Sequence, residues 1–398
     1  NVYWHGSFSY GDVDRAFAEA DLVVRDRHHF HRYSSTPLEG IGILASYQSV
    51  DHSITIWGNF QAPAIFRPRI ARSLGPLLWL AFSGGEPFLR KDLVEISRVF
   101  YAHNRPAIML YPTNGLLPEL IRRATEQILS DCPRSTVVVK LSLDGIGADH
   151  DALRRTPGGF ARVMQTYRRL AGLLDEYPNF ELGINTVFLS ENQDKMDAII
   201  DFVGTLAHVK THTISLARGV LADPRYQAVD ADKYRRAVAR LEANLKNRTA
   251  NIYRFWGARL KAAQDILQRR LIHRTVIEQR RQIPCYAGRL NLVLTETGEV
   301  YPCEMLDTRL GNVREYRYDL ARLLRSEAAR TVNESIMNNR CYCTHECYFI
   351  TNILFNPRLY PALLREYRQL SRRSTAGARQ LPVGNEKVSD EKVSGTVS

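Results

Sequence analysis

The chain is 398 residues long, 44% hydrophobic and 24% charged, with a formal net charge of +12; that length suits one large domain or two moderate ones. No run of about 18 apolar residues occurs, which excludes a conventional membrane-spanning helix. The excess charge sits on dispersed arginines such as Arg235-Arg236, Arg269-Arg270 and Arg280-Arg281. These read as solvated helix faces rather than a nucleic-acid surface, because no nucleic-acid motif accompanies them.

The first 68 residues have weak periodicity and carry five of the eleven histidines, His5, His28, His29, His31 and His52. No partner residues stand at ligand spacing, so irregular surface is preferred over a metal site there. From about residue 76 the pattern becomes regular. Residues 77–82 read as a buried strand, 91–104 as a helix and 107–111 as the next strand. Pro118 suits the first turn of a helix reaching about Ser130. Residues 137–142 form a β-branched strand, 159–175 a helix, 180–188 a strand, 193–207 a helix and 211–217 a strand. This alternation implies parallel βαβ units with right-handed crossovers. Long basic helices follow over 229–281. A β-hairpin over 290–301 turns at Gly298. Residues 372–398 are polar and predict a disordered tail.

The distinctive loops fall at the carboxyl ends of the strands, where parallel α/β folds bind ligands. Gly84-Gly85-Glu86-Pro87 follows the first strand and Thr113-Asn114-Gly115 the second. Ser142, Asp144 and Gly145 end the third, Asn185 lies in the fourth, and Arg218-Gly219 end the fifth. Glycines admit a ligand close to the backbone. A glutamate and backbone carbonyls accept from an ammonium, and Asn114, Ser142 and Asp144 suit ribose hydroxyls or a carboxylate. Singly each loop is turn chemistry; together they predict a small zwitterionic, nucleoside-like ligand.

Of six cysteines, Cys132 stands alone and five crowd the C-terminal third: Cys285, Cys303, Cys341, Cys343 and Cys347. An odd group is a poor disulfide framework and reads better as metal ligation in a reducing compartment, hence a cytoplasmic protein. Cys285-x12-Gly298-x4-Cys303 places a thiol at each base of the hairpin, and Cys341-x-Cys343-x3-Cys347 supplies more. Iron–sulfur clusters and structural zinc both take four ligands, and His345 is available as a zinc ligand.

"FSGGEPFLRKDL", "PTNG", "SLDG" and "CYAGRLNLVLTETGEVYPC" together resemble radical S-adenosylmethionine (radical SAM) enzymes with a SPASM or twitch-type extension, over roughly residues 70–350. The resemblance implies an α/β fold: a partial (β/α)6 TIM-like barrel, here lacking or altering its first β/α unit, plus a small Cys-rich hairpin and helix extension. It implies S-adenosyl-L-methionine as cofactor, with Gly84, Gly85, Glu86 and Pro87 at the methionine amino group. Ser142 and Asp144 would lie near the ribose or carboxylate, with Asn114 close by and Asn185 at the same edge. Cys285 and Cys303, with two of Cys341, Cys343 and Cys347, would hold an auxiliary 4Fe-4S cluster. The family also carries a second 4Fe-4S cluster, on a C-x3-C-x2-C loop before the Gly-Gly-Glu-Pro motif, and those cysteines are absent here.

Two explanations stand: a diverged relative that keeps only the auxiliary cluster, or a frameshifted or truncated reading frame in which residues 1–68 are not native to the family. The lack of an initiator Met and the abrupt change near Ile70 favour the second. The expected domains are 1–68 unassigned, 69–284 barrel, 285–355 auxiliary cluster domain, and 356–398 helix and tail. The expected activity is reductive SAM cleavage for radical modification of a peptide or small molecule, fed by a reductase and lost in this chain for want of the first cluster. A non-catalytic iron–sulfur or zinc protein is the alternative.

Overall fold

The computed structural model describes Arg15, residues 18–20, 43–48, 53–58, 63–219, 221, 223–338 and 341–371, and it forms two compact units, 1–62 and 63–398. His5, His28, His29, His31 and His52 and the tail 372–398 lie outside the described residues. In the first unit, β1 (Ile43–Gln48) and β2 (Ser53–Gly58) pair antiparallel, from Ile43↔Gly58 to Gln48↔Ser53. This hairpin was not expected from the weak periodicity of the segment.

The second unit opens with helix α1 (Pro63–Ser73). Five strand–helix steps follow: β3 (Trp79–Ala81), α2 (Leu93–Asn104), β4 (Ile108–Thr113), α3 (Pro118–Asp131), β5 (Thr136–Ser142), α4 (Ala148–Arg154), α5 (Gly159–Ala171), β6 (Phe180–Phe188), α6 (Met196–Thr205) and β7 (Thr211–Leu216). The five strands are parallel and ordered β3-β4-β5-β6-β7, the order of the chain. Every crossover therefore steps one strand in the same direction. With right-handed crossovers that winding curls a sheet into part of a barrel instead of an open doubly wound sheet. The expected partial barrel is present, with five parallel strands and no sixth among the described residues. The edge strand β3 is only three residues long and half-exposed, whereas β4 to β6 are buried.

Period-2 alternation divides the sheet into two faces. Met109, Tyr111, Val137, Val139, Leu141, Leu182 and Ile184 point outward and pack with Ile121, Ile128, Val163, Leu170, Ile199 and Val203 from the crossover helices. Each such fully buried side chain contributes roughly 1.5–3 kcal/mol relative to exposure. The opposite, concave face is apolar only near Trp79, Ile108, Leu110 and Val138, where Tyr253 and Ala258 cover it. Towards the strand ends it turns polar.

After β7 come α7 (Ala231–Lys246) and the 21-residue α8 (Ala258–Glu278). A small antiparallel sheet follows, ordered β10 (Gly311–Asn312), β9 (Glu299–Tyr301) and β8 (Val293–Leu294). The expected hairpin is therefore extended by a third strand. Four helices complete the unit: α9 (Leu320–Leu324), α10 (Glu327–Asn338), α11 (Glu346–Leu354) and α12 (Tyr360–Ser371). Helix α1 ties the two sheets together. Ile70 and Leu74 pack on Val300, Leu310, Leu320 and Leu323. On the other side Asn104, fully buried, donates from Nδ2 to the carbonyls of Ala71 (2.7 Å), Leu74 (3.0 Å) and Gly75 (3.0 Å).

Replacing Asn104 removes the donor for three carbonyls at once. Asn104→Ala is expected to cost about 1–3 kcal/mol, read as a lower urea midpoint at unchanged slope; an unchanged midpoint would show that α1 is held by packing alone.

Candidate functional site

The Gly-Gly-Glu-Pro loop is shaped by its own glutamate. Glu86 Oε1 accepts from Phe88 N (3.2 Å) and caps the short 3-10 turn Pro87–Leu89, with Pro87 at its first position. Glu86 Oε2 accepts from Thr113 Oγ1 (2.9 Å) and Asn114 N (2.7 Å). One carboxylate thus joins the loop after β3 to the loop after β4. Gly84 has φ +120°, a left-handed conformation that side chains avoid. Gly85 has no such φ, and a Cβ there would meet nothing within 4 Å. The second glycine leaves open space against exposed backbone.

The other expected residues gather at the same edge. Asn114 Oδ1 accepts from Leu116 N (3.0 Å) and shapes its own turn. Ser142 and Asn185 are paired neighbours on β5 and β6, both half-buried. Asn185 Oδ1 accepts from Ser215 Oγ (3.1 Å). Asp144 is different: it is 3% exposed, Oδ1 accepts from Val187 N (2.8 Å), and Oδ2 pairs with Arg154 Nη2 (2.6 Å). Its carboxylate is committed to holding the third loop.

Sequence reasoning passed over the concave face. Lys140 lies half-buried within the apolar run Val137-Val138-Val139-Lys140-Leu141, and its Nζ donates to Thr213 Oγ1 (2.5 Å) two strands away. Gly183 makes that reach possible, since a Cβ there would stand 2.7 Å from Thr211 Oγ1 and 3.4 Å from Lys140 Cγ. Burial lowers the Lys140 pKa. A single lysine inside a β-branched run was the available signal.

The C-terminal extension docks on this edge. Arg218, after β7, donates from Nη1 to Glu346 Oε2 (2.6 Å). Glu304, next to Cys303, meets His345 Nε2 through Oε2 (2.6 Å). The Glu304 pKa is lowered, first by His345, with Arg218 and the Ser83 hydroxyl adding to the effect. Ser83 precedes the glycine pair, so the auxiliary segment reaches the loop after β3. His345 Nδ1 accepts from Cys347 N (3.3 Å). Both ring nitrogens of His345 are thus engaged within the protein.

Four of the five late thiols share a neighbourhood. The Cys343 thiol is pushed up to about 11 by burial, with Cys285, Cys303 and Cys341 adding to the rise. Burial also raises Cys303, and Cys285 and Cys341 act on it in the same sense. Cys347 is exposed, and its influence falls on His345 and Lys140. Among the described residues no three His, Cys, Asp or Glu side chains are placed to hold a single metal ion. Cys132 is buried at the end of α3, and burial pushes its thiol up to about 12, which makes it inert.

Residues 285–348 match the SPASM family, described as an iron–sulfur cluster-binding domain. The chain is also similar to the AdoMet-dependent heme synthase of Methanosarcina barkeri, 28% identical over 250 residues, which is 59% of this chain and 65% of that protein. This is a radical SAM protein with a SPASM domain. It spans less than two thirds of that relative's length. Its fold is similar to that of a solved structure described as histidine-tagged anSMEcpe with bound AdoMet, with TM-score 0.50 and 16% identity, covering 82% of this chain and 92% of that one. Residues 1–76 match a different family, a molybdopterin cofactor-binding domain. The chain also has a stretch 39% identical over 55 residues to the carbon monoxide dehydrogenase large chain of Afipia carboxidovorans, 14% of this chain and 7% of that protein. The sequence reading missed this second likeness; it noted only that the first 68 residues do not follow the barrel pattern. No described helix is long and apolar enough to cross a membrane.

At the edge strand, His212 Nε2 meets Thr186 Oγ1 (2.9 Å), and its pKa is lowered to about 3 by burial and by the nearby Arg269 and Lys140 charges. The unfolded chain takes up this proton below about pH 6.5, the folded chain only near 3. Stability from His212 is therefore present above pH 6.5 and lost as the pH falls towards 3. Urea unfolding at pH 7 and pH 5 is expected to show a smaller acid loss in His212→Gln than in the unaltered protein; equal losses would mean that His212 protonates freely in the fold.

Proposed function

We propose that this chain binds S-adenosylmethionine at the carboxyl edge of its half-barrel and holds one auxiliary 4Fe-4S cluster through Cys285, Cys303, Cys341 and Cys343. The observation that carries the reading is the meeting of two features at one edge: the open Gly84-Gly85 backbone beside Glu86, and the SPASM segment that reaches it through Glu304. The donor chemistry fits, since four thiols suffice for such a cluster. The open space at Gly85 suits close approach of a methionine moiety. Glu86 shapes that loop and offers carboxylate lone pairs to an ammonium. Ser142 and Asn185 present hydroxyl and amide groups to a ribose, and Asp144 acts on the ligand only by fixing the loop that carries it.

The cluster that cleaves SAM does not fit these residues. No cysteine precedes Cys132, and Cys132 is sealed in the core. We read the chain as a SAM- and cluster-binding member of an oxidoreductase or maturase lineage, in which radical generation has no cluster to start from. The likeness to a heme synthase favours a small-molecule substrate over a peptide. An electron donor is the partner a cluster of this kind requires.

The match of residues 1–76 to another family supports the reading that the N-terminal region is not native to the barrel lineage. Independent sequencing of the locus tests it. A frame break or rearrangement junction between the codons for residues 58 and 76 is expected, and one uninterrupted frame in genome and transcript would reject it.

Anaerobic reconstitution with iron and sulfide is expected to load about four irons per chain with broad visible absorption. Cys343→Ser loses that load and Cys347→Ser keeps it. Retention of zinc in place of iron would favour the non-catalytic zinc reading, and equal loss in both variants would overturn the ligand set. With a strong reductant, SAM is expected to bind and yield no 5′-deoxyadenosine, while Gly85→Val weakens binding by filling the open space. Any 5′-deoxyadenosine formed would overturn the inactivity.

A further inference from the structure

The pair Arg280-Arg281 reads in the sequence as a solvated helix face, and the structure separates its two members. Helix α8 ends at Glu278, so both residues follow it. Arg280 pairs with Glu278 (2.6 Å) and its side chain is 64% exposed. Arg281 is half-buried and turns towards the thiols. Its Nε donates to the Cys341 carbonyl (3.0 Å), and its Nη2 donates to the Ile336 carbonyl (2.8 Å) and to Cys341 Sγ (3.2 Å). One edge of the planar guanidinium therefore faces Cys341.

Cys341 lies on no helix or strand, so its place depends on side-chain contacts. Arg281 joins residue 336, on α10, to residue 341 across the chain between them. It does so from the end of α8, whose Leu267 and Ile272 are buried in the main core. Tyr342 adds a second tie, its hydroxyl donating to Gln279 Oε1. The loop carrying Cys341 and Cys343 is thereby docked on the end of a core helix.

Other sulfurs of the proposed ligand set also accept hydrogen bonds. Cys303 accepts from the backbone N–H groups of Met305 and Leu306, and Cys343 from that of His345. Those donors are neutral. The Arg281 guanidinium is always charged, and its bond to Cys341 is charge-assisted once that sulfur ligates as a thiolate. A 4Fe-4S core on four thiolates is anionic, and reduction adds one more negative charge. A fixed cation hydrogen-bonded to a ligand sulfur stabilises the reduced form more than the oxidised form, which raises the reduction potential.

We propose that Arg281 is a positioning residue of the auxiliary cluster: it holds Cys341 in place and, through its bond to Sγ, biases the cluster towards the reduced state. In that reduction one electron enters from an external low-potential reductant, no bond breaks and no proton is taken up. The inference rests on the proposed function, since it needs a cluster on Cys341.

The test is an anaerobic redox titration of the reconstituted full chain with dithionite, followed by the visible absorption and by the electron paramagnetic resonance of the reduced cluster. Arg281→Gln removes the charge and Arg281→Lys keeps it without the planar fork. At the midpoint of the unaltered protein, the ratio of reduced to oxidised cluster in Arg281→Gln is expected to fall at least about tenfold, a shift of about 59 mV for one electron. Arg281→Lys falls between the two, and each chain carries about four irons. Equal midpoints at full iron load would overturn this inference and leave the proposed function standing. Should Arg281→Gln lose its iron, the unaltered chain supplies a second readout. With its arginine nitrogens isotopically labelled, the reduced cluster is expected to show magnetic coupling to a labelled nitrogen, and an uncoupled spectrum would likewise overturn this inference alone. An unaltered chain that loads no iron would overturn the proposed function and this inference with it.

Discussion

The carboxyl edge of the half-barrel depends on the carboxylate of Glu86. It sits between two loops that no backbone ladder joins, because β3 stops at Ala81 and its pairing with β4 ends at Leu110. Beyond that point the acceptor oxygens of Glu86 do what a sheet would have done: they hold Thr113 and Asn114 against the turn at Phe88. Hydrogen bonds to an ionised group are the stronger kind, and here they replace several residues of missing strand. The glycine pair is thereby held with its backbone bare. The same loop begins at Ser83, where the SPASM segment arrives through Glu304, so the carboxyl edge of the sheet and the thiol domain share one short stretch of chain.

The auxiliary domain is fixed to the barrel by ion pairs on one side and by packing on the other. Arg218 and Glu346 meet at the concave mouth, and Glu304 with His345 orders the segment between the thiols. Opposite, α1 inserts Ile70 and Leu74 into the small sheet's core while Asn104 grips its carbonyls. Helix α1 falls within residues 63–76, the part of the chain where the match to a molybdopterin cofactor-binding domain gives way to the barrel. That segment is structurally integral to unit 63–398 even though its sequence is matched elsewhere.

Much of the barrel was legible because periodicity and punctuation agree. The strand at 180–188 and the helix starting at Pro118 fall where the pattern puts them, since apolar alternation and a first-turn proline are local signals. The edge strand β3 proved shorter than its apolar run, because an edge has one neighbour and Leu77 and Leu78 pass the end of β4. The hairpin of residues 43–58 was not legible, having no turn dipeptide between its strands. At the site, residue identities were readable and their duties were not. Asp144 has the right type and position for a ligand contact, but its neighbours Val187 and Arg154 consume both oxygens. Lys140 and Glu304 become site residues only through contacts between segments far apart in the chain, which spacing alone does not report.

Hydrogen–deuterium exchange with and without S-adenosylmethionine, on anaerobically reconstituted protein, tests the central claim most directly. The account predicts ligand-induced protection confined to residues 83–87, 113–116, 142–145 and the end of β6, with a weaker effect at 303–305. Protection spread over unrelated surfaces, or none at saturating ligand, would contradict a shared cofactor cavity at the carboxyl edge.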